Sequence, residues 1–232
     1  KFAEDFPVCR KWHFCLPLAS RSQDKAQHFL PTIFHIERAY GSYEALAEDP
    51  DVDAVYVATP HDTHVELSKM CLEKGKAVLC EKPMAVNAAQ LESLLDTAEK
   101  SGIFLMEAIW TYFMPVVRQA KKWVDDGRIG NIKMIQADFG FKTPENPKDR
   151  LYNPALAGGA LLDIGIYPLA MAHYFAPGEI ADIKASAIKA DTSVDQTLGM
   201  VLTYDDDIIA NLTASFRFQM EMQLMYMATM AM

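Results

Sequence analysis

Residues 53–61 read Asp53-Ala54-Val55-Tyr56-Val57-Ala58-Thr59-Pro60-His61. The run is short, β-branched and continuous rather than alternating, and it ends at Thr-Pro. That is the signature of a buried strand. The residues on its C-terminal side change period. Residues 62–74 read as a helix with Gly75 as its C-terminal cap. Ala77-Val78-Leu79-Cys80 is the next strand, and Asn87 with Gln90 resembles a capping box opening a helix that stops near Gly102. Ile103-Phe104-Leu105-Met106 is a third strand, and residues 112–126 form a further helix ending at Gly127. Strand alternating with helix at this spacing implies right-handed crossovers and a parallel sheet covered on both faces. Ligands of such sheets bind beyond the carboxyl ends of the strands. Three polar clusters stand there: Thr59-Pro60-His61, Glu81-Lys82-Pro83 and Glu107-Ala108-Ile109-Trp110.

After Gly130 the pattern changes. Residues 132–139 alternate as a half-exposed strand, a helix runs from about Gly159 to Phe175, and 182–190, 197–204 and 207–216 read as consecutive strands. Tyr204-Asp205-Asp206-Asp207 is the hairpin turn between the last two. Clustered strands imply an open antiparallel sheet in a second, α+β domain. The expected division is residues 1–111 for the α/β, Rossmann-like domain and 112–232 for the second. Ile183, Ile188, Val201, Ile209 and Leu212 give that sheet more apolar surface than one helix layer hides, so a homodimer through its open face is expected.

Half of the 232 residues are hydrophobic, enough for a substantial core, and the net charge of -9 argues against a nucleic-acid surface. Cys9, Cys15, Cys71 and Cys80 form no C-x-x-C pair and no zinc spacing, which fits reduced thiols in a cytoplasmic protein, and no metal site is expected. Asn211-Leu212-Thr213 matches a glycosylation sequon but lies in an expected strand. No apolar run is expected to span a membrane.

Four segments carry a resemblance: Ala39-Tyr40-Gly41-Ser42-Tyr43-Glu44, Leu79-Cys80-Glu81-Lys82-Pro83, Leu105-Met106-Glu107-Ala108-Ile109-Trp110-Thr111, and Gly158-Gly159-Ala160-Leu161-Leu162-Asp163-Ile164-Gly165-Ile166-Tyr167. In this order, and at strand ends, they resemble the glucose–fructose oxidoreductase and inositol dehydrogenase family (Gfo/Idh/MocA), most nearly its branch acting on trans-dihydrodiols and D-xylose. The resemblance implies an NADP-dependent oxidoreductase, NAD being the other candidate, that moves hydride between nicotinamide and a hydroxyl or carbonyl of a small sugar, polyol or dihydrodiol.

It also implies roles. Lys82 would lie beside the nicotinamide and the reacting carbon, where a fixed cation stabilises a developing alkoxide. Tyr167 stands where many members have histidine. A phenol with an ordinary pKa of ~10 needs the lysine's charge to act near neutrality. Asp163 precedes it by four residues, so both side chains are expected on one helix face. Ser20-Arg21-Ser22 falls where the second strand of the dinucleotide domain would end, and an arginine there can pair with the 2′-phosphate of NADP. Thr59, Pro60, His61 and His64 match the loop that runs along the dinucleotide, Glu81 the nicotinamide ribose, and Trp110 a substrate-pocket aromatic. The Lys82–Pro83 peptide is expected to be cis.

The sequence departs from the family at both ends. It holds no G-x-G-x-x-G, so it reads as starting inside the first helix, after the first strand and the phosphate-binding loop, whose loss would weaken pyrophosphate binding. Cys9-Arg10-Lys11-Trp12-His13 and Pro17 are poor material for a central strand. Met220, Met222, Met225, Met227, Met230 and Met232 crowd the last thirteen residues, where the family's sheet should continue, so the sequence reads as cut short there too. Two alternatives follow: an inactive member acting as a binding or scaffold protein, and an inositol-type polyol dehydrogenase.

Overall fold

The computed structural model describes residues 18–22, 24, 38–221 and 223–229. The readings that fall on residues 1–17, including Cys9, Cys15 and the segment around Phe6, and on Met222, Met230 and Met232, lie outside the described residues. The chain divides into two compact units: Lys1–Ala58 with His64–Cys80 and Ala89–Met106, and Thr59–Thr63 with Glu81–Ala88 and Glu107–Met232.

In the first unit β1 (Leu18–Ala19) pairs in parallel with β2 (Ala39–Tyr40), and the Ser20 N–H donates to the Tyr40 carbonyl at 3.2 Å. Helix α1 (Tyr43–Glu48) is capped by the Ser42 hydroxyl, which accepts from the Ala45 N–H. Strand β3 (Ala54–Val57) pairs in parallel with β4 (Ala77–Cys80), and β5 (Leu105–Glu107) follows on the far side of β4. Helices α2 (His64–Glu73) and α3 (Ala88–Ser101) form the expected crossovers. Each ends at a glycine with positive φ, Gly75 at 76° and Gly102 at 65°, where any side chain would be strained. Val57, Cys71, Leu72, Val78, Cys80 and Leu94 are buried, and burial pushes the Cys71 thiol up to about 11, which makes it inert.

Among the described residues, one face of this sheet keeps exposed side chains. Tyr56 and Leu79, cross-strand partners in register, stay 42% and 37% exposed. A continuous apolar run shows that a strand tolerates cover on both faces. It does not say which residues supply that cover.

Asp49 ties the first unit together. Its carboxylate accepts from the Tyr40 hydroxyl, from Arg38 at 2.8 Å and from the Asp51 N–H at 2.9 Å. The phenol's bond is the largest cause holding the Asp49 carboxyl below its usual range, and the same bond raises the Tyr40 phenol.

In the second unit a five-stranded sheet has the order β10-β6-β9-β8-β7, formed by β6 (Ile132–Gly140), β7 (Ile180–Lys189), β8 (Asp195–Tyr204), β9 (Ile209–Ser215) and β10 (Leu224–Ala228). It is mixed rather than purely antiparallel, because β6 and β9 run parallel. The long excursion after β6 brings the chain into the sheet at the far edge, and the meander β7-β8-β9 then returns beside β6 in the same direction. Consecutive hairpins reveal the antiparallel pairs in sequence, but a pairing across such an excursion leaves no local signal.

Helix α4 (Pro115–Asp125) follows a 3₁₀ turn at Trp110–Phe113. The single helix expected from Gly159 begins as a π-helical turn, Leu161–Gly165, and continues as α5 (Ile166–Phe175). The stretch Pro154–Phe175 is long and apolar enough to cross a membrane by composition alone. However, Ala160, Ile164, Met171, Ala172 and Phe175 belong to the core of this unit, so it is read as a core helix.

Register assigns each residue of the sheet to a face. Ala137, Leu212, Met200 and Ala185 lie abreast, and the first three are buried in the core. Of the five apolar residues named for this sheet, Leu212, at 1% exposure, is hidden in the core, and Ile183, opposite Leu202, shares the core side at the uncovered edge strand. The open face carries Ile188, Val201, Ile209, Met225 and Met227, all exposed, around a polar hollow of about 430 Å³ lined by Gln136, Asp138, Asn211, Thr213, Gln219 and Glu221. The sequon lies inside β9, its Leu212 in the core.

Candidate active site

The loops that follow β3, β4 and β5 all belong to the second unit. They are braced locally. The Thr63 hydroxyl lies 2.8 Å from the Pro60 carbonyl and 2.7 Å from the Thr59 hydroxyl. The Lys82 N–H donates to the Glu81 carboxylate at 3.2 Å, and the Met84 N–H donates to the Glu107 carboxylate at 2.7 Å, tying the loop after β4 to the end of β5. The Lys82–Pro83 peptide is cis, as expected.

These loops bring His61 and Lys82 to Asp163, which is 4% exposed within the π-helical turn. The Lys82 ammonium donates to the main-chain carbonyl of Asp163 and lies 3.5 Å from its Oδ1. The same Oδ1 accepts from Arg150 Nη1 at 2.7 Å and lies 3.8 Å from His61 Nε2. His61 Nδ1 is 3.1 Å from the carbonyl of Ala157. A carbonyl only accepts, so Nδ1 carries a proton in that contact. One buried carboxylate oxygen thus faces two permanent cations and an imidazole.

Tyr167 stands beside this cluster, in the first turn of α5. The Lys82 ammonium lies 5.0 Å from the centre of its ring, the Phe139 ring is 5.4 Å away, and the Trp110 indole N–H donates to the phenol oxygen at 3.0 Å. Burial is the main cause raising the Tyr167 phenol above its ordinary value. Trp110 opposes the rise, while Glu81 and Asp163 add to it. This corrects the expectation that Lys82 brings the phenol toward neutrality. The ammonium sits over the ring face, desolvation wins, and the phenol stays protonated at neutral pH. The simple four-residue helix spacing of Asp163 and Tyr167 does not hold either, because a π turn intervenes. Both nevertheless meet Lys82.

The structure therefore gathers Lys82, Asp163, Tyr167, His61 and Trp110, with Glu81 close by. Trp110 is 53% exposed. Ser20, Arg21 and Ser22 lie in the first unit, directly after the carboxyl end of β1, with Arg21 exposed. His64 opens α2 of that unit and is buried. Among the described residues no three His, Cys, Asp or Glu side chains converge as metal ligands.

Arg150 and Phe139 were missed by sequence reasoning. Arg150 lies in an aperiodic stretch rich in Pro, Asn and Asp, where no spacing marks one residue. The Leu151 and Tyr152 N–H groups both donate to Asp149, which shapes that turn. A Cβ at Gly158 would stand 2.7 Å from the Leu151 carbonyl oxygen and 2.8 Å from that of Arg150, so only glycine allows the segment to pass here. That glycine was the available signal.

A unit built on a parallel sheet, and a mixed-sheet unit bearing a Lys–Asp–Tyr cluster, are the parts expected of a dinucleotide-dependent enzyme. Residues 15–109 match the model of an oxidoreductase family with an NAD-binding Rossmann fold, and residues 117–228 match the GFO/IDH/MocA C-terminal domain. The chain belongs to the GFO/IDH/MocA oxidoreductase family.

It is 39% identical over 210 residues to the trans-1,2-dihydrobenzene-1,2-diol dehydrogenase of Xenopus tropicalis, covering 88% of this chain and 63% of that protein. It is 35% identical over 235 residues to the Danio rerio protein of the same name, covering 99% and 70%. Among solved structures it resembles KijD10, a 3-ketoreductase from Actinomadura kijaniata in complex with NADP and TDP-benzene. There the TM-score is 0.81 at 32% identity, over 92% of this chain and 65% of that one. It also resembles an aldose-aldose oxidoreductase from Caulobacter crescentus complexed with glycerol, with a TM-score of 0.79 at 29% identity, over 87% and 62%. The chain spans about three fifths of the length of the first of these relatives.

Proposed function

We propose that the protein is an NADP-dependent oxidoreductase that interconverts a hydroxyl and a carbonyl group on a small sugar, polyol or trans-dihydrodiol. The observation that carries this reading is the convergence of the Lys82 ammonium and the protonated Tyr167 phenol beside the buried Asp163. The names of the relatives support the substrate class.

Bound NADP would supply or take up the hydride. Exposed Arg21, flanked by Ser20 and Ser22 at a strand's carboxyl end, fits a 2′-phosphate, since guanidinium pairs with phosphate bidentately. Thr59, Pro60, His61 and Glu81 remain the proposed neighbours of the dinucleotide. His64, buried at the start of α2, is kept in that proposed set.

The chemistry of the remaining residues follows from their partners. A substrate oxygen that gains negative charge is stabilised by the Lys82 ammonium. Trp110 donates to the Tyr167 oxygen, so the phenol's own O–H is the proton left to give to that oxygen. In the reverse direction the phenol oxygen recovers the proton. Phe139 and Trp110 supply apolar walls beside the ring.

The test is a panel of aldoses, polyols and dihydrodiols followed by NADPH absorbance with the intact chain. Turnover is expected on at least one class. No turnover on any, with no binding of NADPH, overturns the reading. The protein is also proposed to form a homodimer through the open sheet face, where Val201, Ile209, Met225 and Met227 are exposed together. Sedimentation at micromolar concentration is expected to give a dimer; a monomer alone would refute that assembly.

A further inference from the structure

We infer that Arg150 is a positioning residue that takes up the charge of Asp163 and so keeps the Lys82 ammonium available to substrate oxygen. The inference rests on the oxidoreductase reading for its kinetic consequence and on geometry alone for the coupling. Of the two cations, Arg150 holds the direct bond, 2.7 Å against 3.5 Å for Lys82. Without the guanidinium, a carboxylate that is 4% exposed would have Lys82 as its nearest permanent countercharge, and the ammonium would be drawn into a closed ion pair. The placement of Arg150 is fixed independently of the ion pair. Its main-chain carbonyl lies so close to Gly158 that a Cβ there would stand 2.8 Å away. The arginine side chain is 54% exposed, so it satisfies Asp163 from the solvent side while Lys82, at 14%, holds the interior.

The charged and titratable groups around Asp163 and Tyr167 are Arg150 from its loop, His61 from the turn after β3, Lys82 and Glu81 from the loop after β4, and the two residues themselves.

Two measurements test the inference. The first is a double-mutant cycle of thermal stability with wild type, Arg150→Gln, Asp163→Asn and the double variant, which needs no turnover. Arg150→Gln is expected to lower the Tm in the wild-type background and to leave it nearly unchanged in the Asp163→Asn background. Additive effects overturn the pairing. The second is the split between kcat and KM. Arg150→Gln is expected to lose about tenfold or more in kcat with the KM for the cofactor little changed, while Arg150→Lys restores most of the loss. A variant that keeps wild-type kcat, or one that Arg150→Lys does not rescue, overturns the link to Lys82. If the wild type itself turns over nothing, the oxidoreductase reading fails, and the stability cycle alone then decides for or against Arg150.

Discussion

Asp49 in the first unit and Asp163 in the second are both buried aspartates that accept a bond from an arginine, at 2.8 Å and 2.7 Å. They differ in what else reaches the carboxylate. Around Asp49 the charges balance: Arg38 is shared with Asp51, Lys76 donates to the Asp49 carbonyl, and a phenol and a backbone N–H complete the set. Around Asp163 two cations converge on one carboxylate oxygen, with an imidazole and a protonated phenol beside them. A balanced, fully bonded cluster holds a fold in place. A cationic surplus beside a proton donor leaves charge free to stabilise an oxyanion. The substitutions that follow test that distinction.

The largest effect is expected at Lys82. Lys82→Met keeps the unbranched stem of the side chain but removes the ammonium, and kcat should fall by about 10²-fold or more with the fold retained. A variant keeping a tenth of wild-type kcat would show that the surplus charge is not used. Tyr167→Phe comes next, with a loss of roughly 10²-fold, since general acid catalysis contributes at least that much. Burial holds the Tyr167 phenol above its ordinary pKa, so its proton persists to higher pH than that of a free phenol. The wild-type rate of carbonyl reduction should therefore show no loss from phenol ionisation below about pH 10. An alkaline limb centred near pH 8 that vanishes in the phenylalanine variant would contradict that assignment.

The two clusters were not equally legible in the sequence. Lys82, Asp163 and Tyr167 could be named because short motifs at strand ends and on a helix carry them. So could the parallel strands β3 and β4, which rest on apolar runs and turn glycines. Arg150 could not be named, because its pairing with Asp163 depends on a loop closing over Gly158, and such closure leaves no period in the chain. The Asp49 cluster was equally hidden, although Tyr40 lies inside a quoted motif, since the bond depends on how β2 and the end of α1 meet. The parallel β6–β9 pairing and the π turn before α5 escaped for the same reason: tertiary placement set both.

A smaller change is expected at Arg21. The residue is exposed directly after β1, where a guanidinium would distinguish NADP from NAD by charge-assisted bonds of about 1.5–3 kcal/mol. Arg21→Ala should cut the NADP-over-NAD ratio of kcat/KM by roughly tenfold or more. An unchanged ratio would mean that Arg21 does not read the phosphate.

The smallest effect is expected at Asp49, and only in stability. Its carboxyl is held below the usual range chiefly by the Tyr40 hydroxyl, so its contribution is fully present above the unfolded pKa of about 3.9. That contribution is lost as pH falls through the lower folded value. The Tyr40 phenol is raised by the same bond, so its share is present below about pH 10 and is lost as pH rises through its folded value. Asp49→Asn should therefore lower the Tm by a few degrees across the neutral range. The gap from wild type should be flat between about pH 5 and 9 and should close at the acid end. Turnover should change by less than about twofold, because no group that meets substrate in the proposed mechanism bonds to Asp49. A gap that persists unchanged to pH 3 would mean that the carboxylate's charge is not what stabilises the cluster. A collapse of turnover in Asp49→Asn would remove the contrast between the two aspartates, since the balanced cluster would then be serving the chemistry as well.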